Sequence, residues 1–311
     1  GLWTFADLLP VEPRVTLGEG FTPLTGAPSW DAAFKLDYVF PSGSFKDRGA
    51  TATLSRAAEL GVEQVVEDSS GNAGAAIAGY AARAGIDATV YVPADAKPSK
   101  LRAIEAAGAA VVRVEGDRQA VTDACVAAVE EAEAWYASHA WNPAFFAGTA
   151  TFAYEVAAAR EWTVPDAVVC PLGHGTLFLG AYRGFRALYE AGWTDRIPRM
   201  LGAQATGAAP IAAALHGERE RERNDAADGI QIREPVRKEA ILDAIDATDG
   251  DAIAVDAAET EAELDTLHRA GFYTEPTCAV APAALRTYRE RGVVDGDDDV
   301  VVPLTGSGLK T

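Results

Sequence analysis

The chain has 311 residues, of which 49% are apolar and 8% aromatic, and its formal net charge is −19. This length allows two domains, or one large α/β unit, with a core that needs no disulfide or metal to fold. The charge argues against a nucleic-acid partner, because phosphate contacts need clustered Lys and Arg. No apolar run reaches the ~20 residues of a membrane-spanning helix. We therefore expect a cytoplasmic protein with neither a nucleic-acid nor a membrane partner.

Two further features of the composition bear on the environment of the protein. Only six lysines accompany 46 acidic residues, and acid-rich, lysine-poor surfaces suit a high-salt cytoplasm. A halophilic source is therefore a hypothesis. The three cysteines, Cys125, Cys170 and Cys278, are far apart and form no CxxC pair. They predict buried, reduced thiols rather than a disulfide framework or a zinc site.

Apolar strand patterns alternate with helix patterns along most of the chain. The predicted strands are residues 64–67, 88–92, 110–114, 167–170, 199–204 and 299–303. The predicted helices are residues 50–60, 72–84, 99–107, 118–138 and 176–191. This alternation predicts an α/β fold with parallel sheets that are covered on both faces. The charged, aperiodic segment 216–229 predicts a surface loop and a candidate lid.

The segment PSGSFKDRG, residues 41–49, contains one lysine among small and hydroxyl residues. A loop precedes Lys46 and an alanine-rich helix pattern follows it. Neighbours can fix and desolvate such a lysine, which favours the neutral amine that attacks an aldehyde. The alternative is a solvated lysine after a turn.

Two loops join a predicted strand to a predicted helix and are rich in glycine. They are residues 68–74 (DSSGNAG) and residues 171–176 (PLGHGT). The backbone N–H groups at such junctions, with the positive end of the helix dipole behind them, favour an anion. Gly71–Gly74 lacks the GxGxxG spacing, and no acidic residue closes the following predicted strand at the expected place about 20 positions on, so a dinucleotide is disfavoured.

Four further blocks follow the same order as in one known family. They are GEGFTPL (18–24), GAQATGAAP (202–210), FYTEPTCA (272–279) and LTGSGLK (304–310). With the lysine block, they resemble the fold-type II pyridoxal-phosphate (PLP) enzymes, and most closely the threonine synthases. The resemblance extends over nearly the whole chain.

The resemblance implies a tryptophan synthase β-like fold with two three-layer αβα domains and parallel-rich sheets. A smaller domain, residues 51–142, would be inserted into a larger one formed by residues 1–50 and 143–311. The cofactor would be pyridoxal 5′-phosphate, the partner a small amino-acid substrate, and the assembly a homodimer.

The resemblance also assigns residues to roles. Lys46 would hold PLP as a Schiff base and act as the catalytic base, and Asn72 would bond the phenolic oxygen of the cofactor. The phosphate cradle would be Gly173, His174, Gly175 and Thr176. The pyridine nitrogen would face the hydroxyl of Thr305, with Ser307 as the alternative. The substrate carboxylate would bind Ser69, Ser70, Gly71 and Ala73.

Two positions depart from the threonine synthase pattern. A hydroxyl residue that follows the Asn there is Ala73 here, and a basic residue of a GQKT-like segment is Ala150. A buried phosphate needs compensating charge. The departures therefore weaken O-phosphohomoserine as the substrate without weakening PLP binding. A serine/threonine dehydratase, a cysteine-synthase-type enzyme and a non-catalytic PLP-binding protein stay as alternatives.

Overall fold

The computed structural model describes residues 1–132, 134–217 and 222–310. Its strands are β1 (Leu24–Ala27), β2 (Ala32–Lys35), β3 (Gln64–Glu67), β4 (Asp87–Pro93), β5 (Ala110–Val114), β6 (Trp135–Tyr136), β7 (Ala167–Pro171), β8 (Arg199–Ala205), β9 (Asp251–Val255) and β10 (Val300–Pro303). Its α-helices are α1 (Lys46–Glu59), α2 (Asn72–Ala84), α3 (Pro98–Ala106), α4 (Arg118–Ala132), α5 (Pro143–Ala159), α6 (Thr176–Glu190), α7 (Pro210–His216), α8 (Lys238–Asp246), α9 (Ala257–Arg269) and α10 (Pro276–Glu290).

The chain divides into two compact units. The first contains residues 1–21 and 40–149 together with Lys310, and the second contains residues 22–39 and 150–309. The predicted domain boundaries after residues 50 and 142 stay a prediction.

The first unit is built on a four-stranded, fully parallel sheet in the order β5-β4-β3-β6. Successive side chains of β3 point to opposite faces. Val65 packs with residues of α1 and α2, including Leu54 and Tyr80, whereas Val66 packs against Cys125 of α4. Helices therefore cover both faces of this sheet.

The second unit has a six-stranded sheet in the order β1-β2-β10-β7-β8-β9. Only β1, which pairs with β2, runs antiparallel. Alternate residues of the central strands pack against α10, while Val168 and Met200, one residue along, are also fully buried. Helices α6 and α8 contact the same strands. Burial of both faces explains why these strands read as continuous apolar runs rather than alternating ones.

A buried ion pair connects β2 to α5 within the second unit. Lys35 Nζ of β2 lies 2.8 Å from Glu155 Oε2 of α5, and both side chains are fully buried. The same carboxylate accepts a hydrogen bond from the backbone N–H of Thr22, and the Thr22 hydroxyl donates to Asp37. Thr22 of the GEGFTPL block is therefore part of a buried polar network.

The predicted fold class is confirmed, since two parallel-rich sheets carry helices on both faces. One predicted element is wrong in extent, because the helix expected over 118–138 ends at Ala132. The chain forms β6 instead, whose Trp135 and Tyr136 pair with Val65 and Val66 of β3. Pairing and packing at a sheet edge outweigh the local helical pattern here.

Two other predictions concern the loop and the cysteines. Within the segment 216–229, residues 218–221 lie outside the described residues, and Asp225–Ile230 forms a 3-10 helix with Asn224 buried at its start. All three cysteines are buried and free, as predicted. Among the described residues no helix combines the length and the apolar character needed to cross a bilayer.

Candidate active site

Lys46 is the first residue of α1, so the helix begins four residues earlier than the sequence pattern predicts. Asp47 holds the turn that leads into α1, because its buried carboxylate accepts hydrogen bonds from the backbone N–H and the hydroxyl of Ser42. Lys46 Nζ lies 5.0 Å from the centre of the Phe45 ring. The buried hydroxyl of Ser44 has no hydrogen-bond partner within the protein. The lysine is thus half-buried among the groups that its motif supplies.

The glycine of the lysine motif allows a close helix contact. A Cβ on Gly49 would lie 2.0 Å from Cδ1 of Phe145, and one on Gly148 would lie 1.9 Å from the carbonyl oxygen of Arg48. Only glycine fits at either position. The two glycines let the first turns of α1 and α5 approach each other and fix the helix that begins at Lys46.

Glu19 of the GEGFTPL block connects the two helices of the first unit that begin at predicted site residues. Its buried carboxylate accepts hydrogen bonds from Thr51 of α1 at 2.7 Å and from Tyr80 of α2 at 3.0 Å. Trp3 Nε1 donates to it as well. Gly20 has φ +94, and its Cβ would lie 2.3 Å from the Leu2 backbone nitrogen, so this turn requires glycine. The role of this block is structural.

The predicted substrate loop lies between β3 and α2. Gly71 is the residue before the helix and provides no side-chain cap, and the Ser69 hydroxyl accepts from the Gly71 N–H at 3.3 Å. A Cβ on Gly74 would lie 1.9 Å from the Ser69 carbonyl oxygen, so the loop can fold back only over glycine. Ser69, Ser70 and Gly71 are half-buried, while Ala73 is buried. Uncapped N–H groups at this end suit a carboxylate.

Asn72 has a partner that the sequence reasoning missed. Lys310 Nζ, at the end of the TGSGLK block, donates to Asn72 Oδ1 at 2.6 Å. Because its oxygen accepts from this cation, Asn72 meets a ligand acceptor through its amide nitrogen. Lys310 belongs to the LTGSGLK block, which marks it as a residue of interest, but nothing in the sequence indicated which side chain it contacts.

Two acidic residues and a histidine lie directly behind this loop. Glu67 ends β3 and Asp68 follows it, and Glu67 Oε1 lies 2.7 Å from Nδ1 of His139. Burial raises the pKa of Glu67 well above its usual range, and Asp68 raises it further, although Lys46 and Arg118 lower it. The sequence reasoning assigned no role to these three residues.

The predicted phosphate cradle lies in the second unit, between β7 and α6. Gly175 precedes the helix with φ +78, and a Cβ on it would lie 2.6 Å from Cδ1 of Ile241. Gly173 is also closely packed, since its Cβ would lie 3.3 Å from Ile230. Thr176 is the buried first residue of α6, and His174 is half-buried between the glycines. The helix start therefore presents backbone and hydroxyl donors without a side-chain cap.

Thr305 lies in a buried turn that is organised around the thiol of Cys278. The sulfur of Cys278 accepts from the backbone N–H groups of Thr305 and Gly306, both at 3.1 Å, and donates to the Gly306 carbonyl at 3.3 Å. It lies 3.4 Å from the Thr305 hydroxyl. Burial, and secondarily Glu275, raise the pKa of Cys278 to about 12, so the group stays a neutral thiol at pH 7. Cys278 positions Thr305.

Glu275 borders the same turn. Its backbone N–H donates to the Gly306 carbonyl at 3.0 Å, and a Cβ on Gly306 would lie 2.2 Å from Glu275 Oε1. The EPTCA and TGSGLK blocks therefore meet in space although about 30 residues separate them. The order of the blocks gave no sign of this contact. Ser307 is buried in the same turn.

Residues 15–306 match the family model described as pyridoxal-phosphate dependent enzyme. This chain belongs to that family. Its cofactor is pyridoxal 5′-phosphate. Two relatives are the threonine synthase of Methanocaldococcus jannaschii, 33% identical over 100% of this chain and 80% of the relative, and that of Methanosarcina acetivorans, 34% identical over 99% and 80%.

Solved structures agree on the fold of this pyridoxal-phosphate enzyme. The T.th. threonine deaminase has a TM-score of 0.75 and 27% identity, over 93% of this chain and 92% of that chain. Maize serine racemase has a TM-score of 0.79 at 22% identity, over 93% and 88%, which bears on the fold alone. None of these comparisons supports the hypothesis of a halophilic source.

The residues present fit the cofactor. A phosphate needs N–H and hydroxyl donors at a place where the backbone can approach closely, and Gly173–Thr176 provides both. A neutral pyridine nitrogen needs a hydroxyl, and the Thr305 turn holds one. The buried Ser44 hydroxyl, two residues before Lys46, is a further polar group with no protein partner.

Replacing the sulfur tests its role in the Thr305 turn. Cys278→Ala leaves two buried N–H groups without an acceptor, so we expect the free energy of unfolding to fall by about 1–3 kcal/mol. Cys278→Ser, whose hydroxyl can accept and donate, should recover part of this loss. Equilibrium urea unfolding measures it, with Cys170→Ala as the control for removing a buried sulfur. Equal losses in the Ala and Ser variants of Cys278 would contradict the assignment.

The buried carboxyl beside Lys46 makes stability depend on pH. Burial raises the pKa of Asp47 from 3.8 to about 6, and Glu19 adds to this, while the bonds from Ser42 and the charge of Lys310 oppose it. A carboxyl with a raised folded pKa contributes stability below its unfolded pKa, and this contribution is lost as the pH rises through about 6. The difference corresponds to about 3 kcal/mol.

We therefore expect wild-type protein to lose between about 2 and 3 kcal/mol of unfolding free energy relative to Asp47→Asn between pH 4 and pH 7. Urea unfolding of both proteins at each pH gives the difference, from which the titration of groups that do not interact with Asp47 cancels. A difference that does not change with pH would show that Asp47 ionises normally.

Proposed function

We propose that this enzyme is a threonine synthase, which converts O-phosphohomoserine and water into threonine and phosphate. The observation that carries the proposal is full-length similarity, at 33% and 34% identity, to proteins named threonine synthase. The TGSGLK turn supports it, because this block of the resembled family packs on Cys278 and supplies Thr305 as a hydroxyl partner for the cofactor. A hydroxyl partner leaves the pyridine nitrogen largely unprotonated, which favours elimination and replacement.

We assign Lys46 Nζ two roles, as the attachment point of the cofactor and as the base that takes the proton from the substrate Cα. Bound pyridoxal phosphate would withdraw electrons from that carbon. Asn72, whose amide oxygen accepts from Lys310, would donate from its amide nitrogen to the phenolic oxygen of the cofactor. Gly173–Thr176 would hold the phosphate of the cofactor.

The β3–α2 loop binds the substrate carboxylate. The N–H groups after Gly71 have no side-chain cap, and Ser69 and Ser70 offer hydroxyl donors. A side chain at residue 74 would meet the Ser69 carbonyl oxygen, so this fold of the loop requires glycine. Lys46 then moves protons among the carbon atoms of a substrate whose carboxylate is fixed.

The second candidate is a serine/threonine dehydratase or a cysteine-synthase-type enzyme. Ala73 and Ala150 favour it, because both are buried apolar residues where the resembled family has phosphate-binding groups. The solved threonine deaminase at 27% identity has the same fold. A non-catalytic PLP-binding protein is the third alternative, and the presence of Lys46 argues against it. The homodimer and the cytoplasmic location stay predictions.

Purified protein should be yellow, and Lys46→Ala should lose both the visible absorbance of bound cofactor and turnover, because the attachment point and the base are removed. Lys100→Ala, at an exposed lysine of α3, is the control. Phosphate release from O-phosphohomoserine and 2-oxo-acid release from serine or threonine are assayed in parallel. Oxo-acid release alone would select the second candidate, and colour without either product would favour the third.

Ala73→Ser restores the hydroxyl that the resembled family has beside the asparagine. A hydrogen bond to a charged group contributes about 1.5–3 kcal/mol, so we expect kcat/KM for O-phosphohomoserine to rise about 10-fold or more. Ala75→Ser, the same change further along α2, is the matched control. If both variants change kcat/KM equally, the substrate phosphate does not bind at residue 73.

A further inference from the structure

A group of three buried side chains lies behind the substrate loop, in the first unit. Glu67, Asp68 and His139 each offer one ligand atom, and these atoms lie within 4.8 Å of one another. The three residues are 0%, 5% and 5% exposed. No other such group of three occurs in the part of the chain that the structure describes. This group is separate from the residues assigned to the cofactor.

The group has unused acceptor capacity. Glu67 Oε1 lies against His139 and Asp68 Oδ2 accepts from the Thr122 hydroxyl, but Glu67 Oε2 and Asp68 Oδ1 have no partner in the protein. Buried carboxylate oxygens without a partner carry a large desolvation penalty. Two carboxylates so close together also repel each other. A bound cation would remove both the desolvation penalty and the repulsion, because it pairs with the unpartnered oxygens and offsets their charge.

The donor set indicates the kind of ligand. With both carboxyl groups ionised, the two carboxylates and a neutral imidazole would carry a charge of −2, which a divalent cation neutralises. Imidazole suits Zn²⁺ and other late first-row ions, whereas Mg²⁺ and Ca²⁺ prefer oxygen alone. Ligand atoms at about 2.1 Å from a tetrahedral Zn²⁺ lie about 3.4 Å apart. The ligand atoms of this group lie within 4.8 Å of one another, and the Glu67–His139 pair, at 2.7 Å, would have to separate by about 0.7 Å to reach that arrangement.

We propose that Glu67, Asp68 and His139 form a Zn²⁺ site behind the substrate loop. With three protein ligands the fourth position takes water. The thiol of Cys125 lies near both carboxylates, and together they raise its pKa beyond the effect of burial. We assign the ion a positioning role, because Asp68 immediately precedes Ser69 and His139 lies in the segment before α5. The ion would connect these two segments and hold the loop in place. This inference does not depend on which amino acid is the substrate.

The test uses PLP-loaded protein treated with EDTA, incubated with Zn²⁺, passed through a desalting column and analysed for metal by mass spectrometry. We expect one zinc per chain. Glu67→Gln and His139→Gln each remove a ligand of the ion. Loss of even a residue that only hydrogen-bonds to a ligand lowers metal affinity about 10- to 100-fold, so we expect zinc affinity to fall at least ~10-fold in each variant. Glu67→Gln keeps the shape of the side chain and a polar group that can still pair with His139, so we expect it to fold.

The acidic surface can bind zinc without a site, so a matched control is needed. His216 and Asp251 form the same kind of pair at 2.6 Å, but His216 is exposed. His216→Gln should keep the zinc. Zinc should also raise the midpoint of thermal unfolding of wild type and of His216→Gln but not of Glu67→Gln. No retained zinc, retention unchanged in Glu67→Gln, or loss in His216→Gln would each overturn the proposal.

Discussion

The carboxylate of Glu19 is the contact on which the geometry of the first unit depends. It accepts one hydrogen bond from α1 and one from α2, through Thr51 and Tyr80. These helices begin at Lys46 and Asn72, so one buried acid bonds to both the helix of the proposed base and the helix that follows the proposed substrate loop. A buried carboxylate is expensive unless its lone pairs are occupied, and here five donors occupy them. The hydrogen bonds that stabilise the buried carboxylate of Glu19 therefore also hold α1 and α2 in place.

The second unit solves the corresponding problem with a sulfur atom. Thr305 lies after β10 in a turn without regular backbone pairing, and a buried turn must still satisfy its N–H groups. Cys278 of α10 accepts two of them. A thiol with a pKa near 12 stays neutral, so it serves as acceptor and donor without adding charge near the hydroxyl. Thr305 is therefore held by a helix rather than by the loop that contains it.

The sequence predicted these elements and motifs unequally, for physical reasons. Local patterns located β3, β5 and α2 to the residue, because glycine and apolar periodicity are local signals. The predicted end of α4 was wrong, because β6 is stabilised by its pairing with Val65 and Val66 of β3 rather than by the propensity of its own residues. Motifs indicated Lys46, Asn72 and Thr305, but not the partners Lys310 and Cys278, since contacts across 238 and 27 positions leave no mark on either segment. His139 has no motif at all.

The electrostatics behind the β3–α2 loop connect the substrate question to the zinc proposal. A carboxylate or phosphate that binds this loop has Glu67 and Asp68 behind it, and two negative charges at that place oppose a dianionic phosphate more than a single carboxylate. Protonation of Glu67, favoured by its raised pKa, removes one of them. A divalent cation would neutralise both negative charges and add the positive field of a fixed ion. A chain that lacks a hydroxyl at Ala73 and a basic residue at Ala150 can therefore still bind a phosphorylated substrate, provided that the charge behind the loop is neutralised. Without that neutralisation, the same residues favour an unphosphorylated amino acid.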